Sequence, residues 1–105
     1  MGGFAIERRG SRSVVVVSGD LTAPMVPSLQ GSLKQEIDEG ALDIVFDLAA
    51  TETLDSSGIG LLIAACNSLA RISGRISVVN LSPPLLQLLH SMRLVSRLNA
   101  SPRQA

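Results

Sequence analysis

Asp55-Ser56-Ser57-Gly58 sets two hydroxyls beside a carboxylate, just ahead of the apolar run Ile59 to Cys66. Three kinds of chemistry suit these residue types. A serine can be a nucleophile, provided a base activates it and a third group orients that base. It can close the first turn of a helix, where Asp and Ser are preferred because their oxygens accept unpaired backbone N–H groups. Or it can accept a phosphate from another protein, because the N–H groups and the positive dipole end of a helix N-terminus favour an anion.

The first role lacks support elsewhere in the chain. The single histidine, His90, lies between leucines and serine far along the sequence, and neither Gly-x-Ser-x-Gly nor Ser-x-x-Lys occurs. Gly58-x-Gly60 has no third glycine in place and no Gly-Lys-Ser/Thr follows, so a nucleotide-binding loop is not indicated. Cys66 is the one cysteine; it has no metal-ligand companions and reads as a small core residue. No catalytic residue, metal or cofactor is therefore expected. Capping and phosphate acceptance both remain. A phosphate would add a charge of about −1.5 to −2 beside Asp55 and repel a partner docked there.

The elements that must hold the motif follow from pattern. Phe4–Arg8 is a weak strand, and "RGSR" is a hairpin turn into Ser13–Ser18 with its four consecutive valines. Pro27 suits the first turn of a helix carrying Leu29, Leu33 and Ile37, which Gly40 ends. "DIVFDL", residues 43–48, is a second buried strand, and 49–54 a loop. A helix over 57–73 ends at Gly74; 75–80 is a third buried strand; Ser82 caps a helix running to about Met92; and 94–98 is a last short strand before a tail that frays from about 99. The order ββαβαβαβ implies a single α/β domain, with a mixed sheet of four to five strands and helices mainly on one face. At about 100° per residue, Ile59, Leu62, Ile63, Cys66, Leu69 and Ala70 share the buried face of the second helix. Leu61, Ala65, Ser68 and Ile72 then look outward, either as ordinary surface aliphatics or as a partner surface abutting the serines.

Composition narrows the partners. The chain has 105 residues, 46% of them hydrophobic but only 2% aromatic, so the core is aliphatic and the surface offers no stacking platforms for nucleic acid. Nine basic residues balance nine acidic ones, which leaves no electrostatic footprint for nucleic acid or an anionic membrane. The apolar run is too short to span a bilayer, and Met1-Gly2-Gly3-Phe4 does not open a secretory leader. A reduced, cytoplasmic setting is expected, with the protein a monomer or weak dimer.

The segment from Asp43 to Leu94 resembles the STAS domain of bacterial anti-sigma factor antagonists. The resemblance rests on Asp47-Leu48, Asp55 to Gly60, Gly74 and Asn80-Leu81-Ser82-Pro83 in order and spacing, with "VVVVSGDL" similar to the family's second strand. It implies a partner-switching regulator of transcription that is not an enzyme. The unphosphorylated form binds a GHKL-type serine kinase that doubles as anti-sigma factor; phosphorylation releases it, and a PP2C-type phosphatase reverses the change. Carried over, Ser56 is the phosphoacceptor, Asp55 positions it or guides the kinase, Ser57 is the structural cap and Gly58 permits close approach. Asp20, Gly60, Leu61 and Ala65 complete the expected partner surface. Thr22 departs from the family, which often has an acidic residue there. The alternative implied by the family is a constitutive subunit of a transport or other regulatory complex, with no phosphorylation cycle.

Overall fold

Why the motif ends up where it does follows from strand order. The structure, a computed structural model, describes residues 2–103. Strands β1 (Gly3–Arg9) and β2 (Arg12–Ser18) form a hairpin, followed by α1 (Val26–Asp38), β3 (Asp43–Ala50), α2 (Ser56–Ala70), β4 (Arg75–Leu81), α3 (Pro83–Ser91) and β5 (Ala100–Pro102). The five strands lie side by side in chain order, β1 antiparallel to β2 and the rest parallel. Gly10, at φ 61°, opens the two-residue turn between Arg9 and Arg12, where a right-twisted hairpin calls for positive φ.

Each parallel connection steps one strand in the same direction. Right-handed crossovers then put all three helices on one face. Burial agrees: Val15, Val17, Ile44, Phe46, Leu48, Ile76 and Val78 are buried on the helix side, and their neighbours in each strand are not. Leu29 and Leu33 of α1, Leu62 and Leu69 of α2, and Leu85 and Leu89 of α3 close over them. Arg8 clamps the far end of α1, donating to the carbonyls of Glu36 (3.2 Å) and Glu39.

Two expectations are corrected. The last strand is not at 94–98. Leu94 and Leu98 are buried in a turn, with the Leu98 N–H donating to the Leu94 carbonyl at 2.9 Å. The segment expected to fray instead supplies β5 at 100–102, paired with β4. The second helix also starts one residue earlier and stops three residues sooner than expected, its end marked by Ser73 at φ 59°.

Candidate functional site

β2 and β3 run parallel, so the loops that leave them start from the same edge of the sheet. Loop 19–25 and loop 51–55 are stitched together there. Leu21 and Leu54 form a parallel bridge, the Leu21 N–H donates to the Thr53 carbonyl (3.0 Å), and the Thr53 N–H donates to Asp20 Oδ1 (3.2 Å). Asp55 completes the seam. Its Oδ1 accepts the Gly58 N–H at 2.8 Å, which makes Asp55 the N-cap of α2, and its Oδ2 accepts the Ala23 N–H at 2.9 Å. These two bonds, Gly58 first and Ala23 second, hold the Asp55 carboxyl below the usual carboxylate range. It is therefore a stable anion and a poor proton acceptor.

The cap expected at Ser57 is thus Asp55; Ser56 and Ser57 are the first two residues inside the helix. Ser56 is exposed and Ser57 half-buried. Gly58 does permit a close approach, but to this chain's own backbone: a Cβ there would lie 2.1 Å from the Leu21 carbonyl oxygen. Gly60 is exposed, with nothing within 4 Å of a Cβ built on it. Asp20 is exposed beside the seam.

The outward stripe is where the sequence reading fails. Leu61 and Ala65 are 5% and 6% exposed, packed where α2 meets α1 beside Leu33 and Ile37. Ile63 and Cys66, expected inside, are only partly buried. The helix buries two sides, one on the sheet and one on α1. Its outward face is Ser56, Gly60, Ala64 and Asn67. Of the expected stripe only Ile72 is exposed, and it lies beyond the helix end.

A second set of bonds seats the end of β3. Asp47 Oδ1 accepts from Asn80 Nδ2 and from the Ala49 N–H, both at 3.0 Å, and Arg103 Nη2 donates to the Ala49 carbonyl at 2.6 Å. Asn80 adopts φ 60°, a conformation Asn tolerates better than most residues. Asp20, Asp47, Glu52 and Asp55 bring four carboxylates to this edge, against the one guanidinium of Arg103. Glu52 and Asp20 also flank an open cleft of about 990 Å³ that runs to Phe4, Met25 and Ser28. Pattern reading overlooked Glu52 and the Ala23 N–H. The first is an ordinary loop glutamate, and the second carries no side-chain signal.

His90 sits in the last turn of α3, at the opposite edge of the sheet from the start of α2. The imidazole is thus placed away from Ser56. Among the described residues no group of three or more His, Cys, Asp or Glu side chains is arranged to hold a metal, and no helix is long and apolar enough to cross a membrane.

A mixed sheet with three helices on one face, and an Asp-capped serine pair at the carboxyl edge of its parallel strands, defines a class of α/β domain. The STAS domain family model matches residues 4–103, and the chain belongs to that family. Its fold is similar to that of an anti-sigma factor antagonist from Mycobacterium paratuberculosis, at 26% identity and a TM-score of 0.83 over 97% of this chain and 86% of the other. It is also similar to the Bacillus cell fate determinant SpoIIAA in its phosphorylated form, at 23% identity and a TM-score of 0.78 over 94% and 91%. The murine Solute Carrier 26 family member A9 anion transporter contains the same fold, at 12% identity and a TM-score of 0.73 over 93% of this chain and 17% of that one. Comparison with curated proteins finds no match.

Proposed function

We propose that this protein is a phosphorylation-controlled anti-sigma factor antagonist. Unmodified, it binds a GHKL-type serine kinase that acts as anti-sigma factor; phosphorylated on Ser56, it lets go; a PP2C-type phosphatase restores it. One observation carries this reading. Ser56 is exposed on the residue after a cap whose carboxylate is tied at both oxygens, so the acceptor hydroxyl stands on a rigid base. A phosphate there meets the N-terminal dipole of α2, which lets the fold tolerate it. The same phosphate adds a charge of about −1.5 to −2 to an edge that already carries Asp20, Asp47, Glu52 and Asp55, which a docked partner would have to accommodate. The likeness to SpoIIAA, whose phosphorylated form has this fold, supports the reading.

The partner surface in this proposal is Asp20, Asp55, Ser56, Ser57 and Gly60, with Ala64 and Asn67 along the outward face of α2. Leu61 and Ala65 contribute only by holding α2 against α1.

The test is to incubate wild type, Ser56→Ala and Ser57→Ala with ATP and the cognate GHKL-type kinase, then measure intact mass. One phosphate is expected on wild type and Ser57→Ala, and none on Ser56→Ala. The reverse pattern moves the acceptor to Ser57. Binding without labelling of any variant would overturn the cycle and favour a constitutive subunit of a transport or other regulatory complex.

A further inference from the structure

β2 carries four consecutive valines, Val14 to Val17. Sheets with one face in water alternate apolar and polar residues; unbroken β-branched runs belong to strands covered on both faces. Here Val15 and Val17 point under the helices, whereas Val16 is 42% exposed and Val14 only half-buried. Register carries the pattern across the open face. One row reads Ala5, Val16, Asp47, Val79, and the next Glu7, Val14, Val45, Ser77. None of these eight residues is buried. All three helices lie on the other side, so nothing among the described residues covers this face.

A third row sets the occupant. It reads Arg9, Arg12, Asp43, Arg75, with Asp43 paired to Arg12 at 2.9 Å, Arg9 paired to Glu7 of the neighbouring row at 3.1 Å, and Arg75 in no ion pair among the described residues. One end of the face thus carries two ion pairs and the unpaired Arg75 cation, with the Asp47 carboxylate at the other end. Asp47 uses Oδ1 for both of its hydrogen bonds, and Oδ2 has none among the described residues. We propose that the open sheet face binds a second copy of this chain, two-fold related with strands running in opposite directions. In that arrangement the valines of the two copies meet, and Arg12 and Arg75 of each flank Asp47 of the other. Such an interface is isologous and closed. Two sheets would pack about 10 Å apart, as in a sandwich. The patch spans about 14 Å across four strands and about 13 Å along them. That is small against the about 800 Å² per partner of a standard interface, so the dimer is weak and concentration-dependent. Ser56 lies on the helix side and stays free, so this inference does not rest on the phosphorylation cycle.

The test is sedimentation velocity over a dilution series, with amide ¹H–¹⁵N spectra of the wild type at the same concentrations. The wild type should dimerise as concentration rises, less so in high salt, with shifts centred on Val14, Val16, Val45 and Val79. Val16→Glu and Arg75→Glu should each weaken the dimer by about tenfold or more. Met92→Glu, at a comparably exposed apolar residue after α3, should change nothing. If Val16→Glu fails to fold, Arg75→Glu and the wild-type spectra decide. A protein that stays monomeric, dilution shifts confined to the helix side, or a dimer indifferent to both substitutions would overturn the proposal; a monomer would mean that something other than a second copy covers the valines.

Discussion

The carboxylate of Asp55 and the amide of Ala23 meet at 2.9 Å across two loops that are 32 residues apart in sequence. Through this bond the start of α2 is positioned by the loop that leaves β2, and the helix does not simply begin where its own propensity dictates. Asp55→Ala should remove cap and tether together. The expected result is a lower Tm and faster exchange of the Gly58 and Ala23 amides, read by hydrogen exchange.

The same bonds predict a pH dependence. The folded-state pKa of Asp55 is lowered, so its contribution is complete above the ordinary carboxylate value and is lost as pH falls through the lowered one. Asp55→Asn keeps an oxygen for the amides but cannot titrate. Urea unfolding at a series of acidic pH values should therefore show a shallower loss of stability for Asp55→Asn than for wild type. Equal slopes would mean that the tether is not ionic.

Two glycines two residues apart, on opposite sides of α2, should respond with opposite sign. Gly58→Ala forces a Cβ against the Leu21 carbonyl, a backbone atom that cannot swing aside. Overpacking of this kind costs about 1–3 kcal/mol. Gly60→Ala adds a methyl to open space within a helix and should stabilise by about 0.5–1 kcal/mol. Chemical denaturation of the pair gives both signs in one experiment.

On α2, Leu61→Ala should cost about 2–5 kcal/mol, because its side chain is packed against α1. Ala64→Arg should leave the circular dichroism and Tm close to wild type, since the residue is exposed, yet weaken binding of a partner that docks on the outward face. A folded Leu61→Asp variant of normal stability would contradict the packing described above.

Thr51 is fully buried in the loop before the motif, and its Oγ1 has no hydrogen-bond partner among the described residues. An unpaired buried hydroxyl carries a desolvation penalty of about 1–3 kcal/mol. Thr51→Val, nearly the same shape, should be neutral or raise Tm.

Most of the frame was legible because each signal was local. The valines of β2, "DIVFDL" and the prolines opening α1 and α3 each point to one structure. The motif's place at a helix start was legible for the same reason. What failed was decided by tertiary contact. Asp55, Ser56 and Ser57 are all good caps, and the amide of Ala23, which settles the choice, is remote in sequence. The phase of α2 was ambiguous because the helix is apolar on more than one side, as a helix packed on both a sheet and a neighbouring helix must be. β5 is Ala-Ser-Pro, with no strand signature, whereas Leu94, Val95 and Leu98 look like one. Proline is tolerated there because β5 is an edge strand.

Because the strands lie in chain order, the domain can assemble as it is synthesised. A chain made N-terminus first presents each new strand to a neighbour already in place, with no earlier gap held open for a later one. The Asp55 tether needs only β2, β3 and the start of α2. Asn80 and Arg103 reach Asp47 and Ala49 only once β4 and β5 have been made. The seam between the two loops is thus made of earlier elements than the bonds that seat the end of β3, which wait for β4 and β5.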